Sequence, residues 1–128
     1  MAKLSIRIDL APLGAVGPGK VRLLELLGET GSISAAGRAM DMSYRRAWLL
    51  VDALNHLFKE PVVATKLGGR AGGGAQLTAF GHDVVRHYRA LEKEAHDAGK
   101  YHLRALEAAM AKRRQPNPRI RKDIAEAD

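Results

Sequence analysis

Two serine-capped helices joined by a tight turn, a glycine-rich β-hairpin directly after them, and a long final helix with heptad spacing predict a mainly α chain of the winged helix-turn-helix class. The 128 residues suit one domain, placed at residues 1–111. Residues 112–128 read as a basic, disordered tail.

Leu4, Ile6, Ile8 and Leu10 alternate with Ser5, Arg7 and Asp9, the period of a half-buried strand. Pro12, Gly14 and Gly17-Pro18-Gly19 break the chain, and Pro18 suits a first helical turn. Val21, Leu24 and Leu27 then share one face of a helix over Lys20–Gly28, which Gly28 and Gly31 help to end. Ser32 caps a short helix, Ile33–Met40, rich in Ala and Gly. After the turn at Asp41-Met42, Ser43 caps a second helix running to about Phe58. At about 100° per residue, Ala47, Leu50, Val51, Leu54 and Phe58 form its core stripe. Small residues on the first helix let the second approach closely.

Pro61 ends that helix. Val62–Leu67 suits a strand, Gly68–Gly74 a loop and Ala75–Leu77 a return strand. The N-terminal strand is free to pair with this wing. Thr78 caps a helix reaching toward Met110. In it Val84, Tyr88, Leu91 and Ala95 open a 4-3-4 heptad seam, which is strong to Ala98 and thin beyond. Those four residues are the expected dimer interface.

Composition limits the function classes. There is no cysteine, which excludes disulfides, thiolate metal sites and Cys nucleophiles. No apolar run reaches the ~18 residues of a spanning helix, and the alternating N-terminus lacks the apolar core of a signal peptide. A cytoplasmic protein without a membrane partner is expected. The net charge of +7 points to a polyanion, and its distribution says where. Residues 61–77 hold Lys66 and Arg70 with no acid, residues 78–111 balance at five each, and residues 112–128 hold six bases against three acids. The tail reads equally as a solubilising extension or a phosphate-binding arm.

In a helix-turn-helix the second helix enters the major groove and its first turn meets base edges. That turn is Ser43-Tyr44-Arg45-Arg46. Positive charge at a helix N-terminus opposes the macrodipole by about 0.3–1 kcal/mol per exposed charge, and a phosphate or a guanine edge reverses that penalty. Arg45 and Leu49 lie opposite the core stripe, with Tyr44 and Arg46 on its flanks, and Arg46 also suits a phosphate anchor. Ser43 is a cap first and a phosphate donor second, and Ser34 is a similar candidate in the preceding helix. Trp48 lies at the margin of the stripe, where it can pack on the wing or first helix or line the DNA face; packing is the expectation. In the wing, Gly69 and Gly72 let peptide N–H groups approach a ligand closely, and Lys66 and Arg70 make phosphate the natural partner. The alternative is a hairpin tip without a ligand.

Catalysis and metal binding find no support. His56, His82, His87, His96 and His102 form no His-Glu-x-x-His or other tight pair. There is no Gly-x-Ser-x-Gly and no phosphate-binding Gly-x-x-x-x-Gly-Lys-Ser/Thr. Neither an enzyme nor a cofactor is expected.

Gly31-Ser32-Ile33-Ser34, Ser43-Tyr44-x-x-Ala47-Trp48, Asn55-x-Leu57 and Gly68-Gly69-x-x-Gly72-Gly73-Gly74-Ala75-x-Leu77-Thr78-x-x-Gly81 resemble the N-terminal DNA-binding domain of the ModE family, molybdate-responsive transcription regulators. The resemblance covers residues 4–95, and a more distant likeness to LysR-type winged helices covers Gly31–Leu54. It implies a bacterial, homodimeric binder of double-stranded DNA, with Ser43–Arg46 opening the recognition helix and Gly68–Gly74 in the wing. Full-length ModE carries a C-terminal molybdate-binding region of two small β-barrel units, and the basic tail leaves no room for them, so direct molybdate sensing is not expected.

A sequence-specific dimeric regulator is the leading expectation. A nucleoid-type DNA-coating dimer and a protein-interaction module docking a separate oxyanion-sensing partner are the alternatives.

Overall fold

The computed structural model describes residues 2–66 and 74–111. The described residues fall into two compact units, one within 4–98 and the other within 2–3 and 99–111.

In the larger unit, β1 (Ile8–Leu10) pairs antiparallel with β2 (Gly14–Val16), Ile8 opposite Val16 and Leu10 opposite Gly14. The expected strand over residues 4–10 therefore pairs over only three, and its partner is β2 rather than the wing. The cause is local: the turn at Ala11–Leu13, closed by the Leu13 N–H on the Leu10 carbonyl, returns the chain at once and supplies the nearest edge. The predicted alternation persists before β1, where Leu4 and Ile6 are half-buried and Ser5 and Arg7 exposed.

Helix α1 (Pro18–Thr30) starts with Pro18 at its first position and sinks Val21, Leu23, Leu24 and Leu27 fully into the core. Each such leucine contributes about 1.5–3 kcal/mol of burial. The helix continues through Gly28, which was expected near its end, and stops at Gly31. Gly31 adopts φ 69°, the left-handed conformation that spares glycine a Cβ clash, and its N–H donates to the Leu27 carbonyl at 2.8 Å.

Helix α2 (Ile33–Ala39) and helix α3 (Tyr44–Leu57) carry the serine caps expected of them. Ser32 Oγ accepts from the Ala35 N–H and Ser43 Oγ from the Arg46 N–H, each at 3.1 Å. The turn between them uses Asp41 at φ 55°, a conformation that short polar side chains tolerate. The helices meet closely where small residues face each other: a Cβ on Gly37 would stand 3.0 Å from the Ala47 Cβ.

Strands β3 (Val63–Lys66) and β4 (Gly74–Leu77) form the antiparallel wing stem, with Val63 opposite Leu77 and Lys66 opposite Gly74. Thr78 then caps α4 (Ala79–Ala98), accepting from the Gly81 N–H at 2.9 Å while donating to the Pro61 carbonyl at 2.7 Å. Among the described residues the core gathers Val16 of β2, α1, α2, α3, the β3–β4 stem and Tyr88 of α4. This is a mainly α winged helix-turn-helix.

In the smaller unit α5 (Lys100–Ala108) follows Gly99. One helix reaching toward Met110 was expected; α4 instead ends at Ala98, next to Gly99, the residue with the weakest helix preference there apart from proline. The Ala2 N–H donates to Glu107 Oε2 at 2.9 Å and holds that carboxyl below its ordinary range. No helix among the described residues is long and apolar enough to cross a membrane.

Candidate nucleic-acid interface

The first turn of α3 contains no acid, and Arg45 and Arg46 are exposed on it. Among the described residues neither forms an ion pair, nor does Lys66 at the end of β3. The first carboxylate along α3 is Asp52, whose backbone carbonyl lies 2.7 Å from His56 Nδ1. The capped end of α3 thus presents unneutralised positive charge where the macrodipole is also positive, an arrangement suited to an anion.

Beside it, a cleft of about 170 Å³ separates α3 from the wing stem. Tyr44 and Trp48, one turn apart on α3, line it opposite Thr65, Lys66, Gly74 and Ala75, with Ser32, Ile33 and Ser34 contributing from the start of α2. Trp48 was expected to pack; it is 44% exposed in this cleft, and Tyr44 is 58% exposed. The cause is the small core-facing residue beside Trp48: Ala47 takes the buried position at 0% exposure and lets α3 lie close to α2. Leu49 is 48% exposed on the adjacent strip with Arg45, where the two line a shallow depression with Ser43, Arg46 and Leu50.

Ser34 is brought to the cleft, but its hydroxyl already accepts from Arg38 Nη1 at 2.8 Å. Arg38 is a base near the interface that sequence reasoning missed; the signal available was its i,i+4 spacing from Ser34. Gly69, Arg70 and Gly72 of the wing tip lie outside the described residues, as does the basic tail.

Three contacts fix α3 against the wing stem. Asn55 Oδ1 accepts from the Val62 and Val63 N–H groups at 2.8 and 3.0 Å, and Asn55 Nδ2 donates to the Val63 carbonyl at 3.1 Å. The other strand is held separately, at the α1–α2 junction, where the Ala75 N–H donates to the Gly31 carbonyl at 3.0 Å. A lone Asn in the last turn of an amphipathic helix was the signal for the first of these.

The heptad positions of α4 separate into two groups. Val84 packs against the core, and Tyr88 is 2% exposed with its hydroxyl donating to the Ile6 carbonyl at 2.7 Å. Both face inward within this chain, Val84 against the core and Tyr88 against the N-terminal segment at Ile6. Leu91 remains 43% exposed and Ala95 half-buried. Arg89 clasps α4 to α1, donating to both Glu25 oxygens at 2.8 and 3.1 Å and to Glu92 at 2.8 Å. The Arg89 guanidinium holds the Glu25 carboxyl below its ordinary range, and the two carboxylates raise the guanidinium in turn.

No family model matches this sequence. Individual proteins do. The "Molybdenum transport protein ModE" of Azotobacter vinelandii is 41% identical over 98 residues, covering 77% of this chain and 36% of the relative. The "Molybdenum-pterin-binding protein MopB" of Rhodobacter capsulatus is 48% identical over 77 residues, 60% of this chain and 28% of the relative. The "DNA-binding transcriptional dual regulator ModE" of Escherichia coli K12 is 34% identical over 90 residues, 70% of this chain and 34% of the relative. This chain spans about a third of the length of the curated relatives it matches.

Proposed function

Because this chain belongs to the ModE family over 77% of its own residues, we propose that it is a DNA-binding transcription regulator, acting as a homodimer in molybdenum-related gene control. The observation that carries the proposal is the opening of α3, where Arg45 and Arg46 stand exposed and unpaired among the described residues, beside the Tyr44–Trp48 cleft and Lys66. Each subunit sets Ser43, Tyr44, Arg45, Arg46 and Leu49 in a major groove, and Lys66, Gly69, Arg70 and Gly72 on flanking phosphates. Ser34 supplies a further backbone contact. Leu91 and Ala95 are the dimer contacts that the fold leaves accessible, and two subunits then read a pseudo-palindrome with half-sites about 34–36 Å apart. The protein works in the cytoplasm as a binder rather than a catalyst.

Selection of binding sites from random duplexes, with and without molybdate, tests this function. A recurrent palindromic motif that survives excess genomic DNA is expected, and comparison of the two arms reads whether molybdate changes its affinity. Enrichment of no sequence, with binding lost to bulk DNA, favours a coating protein.

A further inference from the structure

Among the described residues of Leu4–Ala98, six large hydrophobic side chains stand exposed: Leu10, Leu13, Tyr44, Trp48, Leu49 and Leu91. Half of them occupy the first two turns of α3. They form two adjacent i,i+4 strips, Tyr44 with Trp48 and Arg45 with Leu49, so the apolar surface is interleaved with the exposed arginines. Leaving such residues in water forfeits their burial energy, and the charge around them selects the surface that can recover it. Arg45, Arg46 and Lys66 flank the ridge, and no acid precedes Asp52 on α3.

A polyanion with apolar groups on its readable edge meets both requirements. In the major groove that group is the thymine 5-methyl, the one apolar feature among the base edges there. We infer that Leu49 and Trp48 determine sequence by packing on thymine methyl groups, alongside hydrogen bonding by Arg45. This rests on the proposed placement of α3 in the major groove. Leu49 is four residues beyond Arg45, about 6 Å along the helix, or roughly two base-pair steps of ~3.4 Å. The methyl it covers therefore lies within about two base pairs of the base that Arg45 contacts. Tyr44, one turn before Trp48, extends the same strip toward the backbone.

The test uses the full chain and the best duplex selected from random sequence. Each thymine is replaced singly by deoxyuridine, which keeps the pairing and removes only the methyl. At least one thymine in each half-site is expected to lose about fourfold in affinity on losing its methyl, the factor equivalent to one buried CH₂. Leu49→Ala or Trp48→Ala, both at exposed positions, is expected to bind thymine and uracil duplexes equally at that position. The inference is overturned if no position in the parent distinguishes thymine from uracil, if the selected sites have no preferred thymine, or if both variants keep the full discrimination. A parent that binds specifically yet never distinguishes thymine from uracil leaves the regulator proposal standing, whereas failure to bind any duplex removes both.

Discussion

Asn55 holds Val63 at both polar groups of its backbone: its side-chain oxygen accepts the Val63 N–H at 3.0 Å, and its side-chain nitrogen donates to the Val63 carbonyl at 3.1 Å. A third bond reaches the Val62 N–H at 2.8 Å. One carboxamide in the last turn of α3 therefore sets where the wing stem leaves the helix. Asn55→Ala strands these partly buried groups and is expected to cost about 1–3 kcal/mol. Urea unfolding should show a lower midpoint with an unchanged slope; an unchanged midpoint would mean that the fork carries no stability.

The clasp between Glu25 and Arg89 makes stability depend on acid. The Arg89 guanidinium favours ionised Glu25 in the folded chain, so the folded pKa lies below the unfolded one. The stabilisation is complete above the unfolded carboxylate value of about 4.3 and is lost as pH falls through the lower folded value. Glu25→Gln should be less stable than the parent at neutral pH, by less than about 1 kcal/mol given the partial exposure of Arg89, and so unfold at a lower temperature. The gap should close on acidification below about pH 4. A gap that is constant with pH would contradict an ionic origin.

Two glycines should respond to alanine in opposite directions. A Cβ on Gly81 would collide with the Val62 carbonyl, because the first turn of α4 lies directly on the start of the wing stem. Gly81→Ala is expected to destabilise by about 1–3 kcal/mol. Gly19, in the first turn of α1, has nothing within 4 Å of such a Cβ, so Gly19→Ala should stabilise by about 0.5 kcal/mol. Thermal unfolding of the two variants checks both signs.

Tyr88 and Leu91 occupy neighbouring heptad positions in different surroundings. Tyr88→Phe removes the bond to the Ile6 carbonyl and should cost about 0.5–1.5 kcal/mol without changing solution mass. Leu91→Glu should leave the fold intact and shift the mass toward the monomer. Analytical ultracentrifugation of the pair separates the roles; a Leu91→Glu protein as dimeric as the parent would move the subunit contact elsewhere.

Local signals carried the helix-turn-helix and the wing stem. The Ser32 and Ser43 caps, the left-handed Gly31 and the Thr78 start of α4 are each set by a few neighbouring residues, and each stands where the chain chemistry puts it. What escaped was non-local. A 4-3-4 spacing fits a core face as well as a seam between chains, and the fold places Tyr88 in the core with its hydroxyl on the Ile6 carbonyl. The β1–β2 hairpin was hidden because Gly14-Ala15-Val16 is too short for a period to show. Trp48 sat at the margin of the stripe, and its exposure depended on how closely Ala47 and Gly37 let the two helices meet.

The most direct measurement is the ratio of affinities for a selected duplex and a scrambled one at fixed salt, in the parent and in Arg45→Ala. A parent ratio of about a thousandfold or more is expected. Arg45→Ala should lose about 1–3 kcal/mol on the selected duplex and little on the scrambled one, so the ratio falls. Lys66→Ala, as a phosphate contact, should weaken both duplexes alike and lower the salt slope by about 0.9. An Arg45→Ala protein with the parent's ratio would contradict the placement of α3 on the bases.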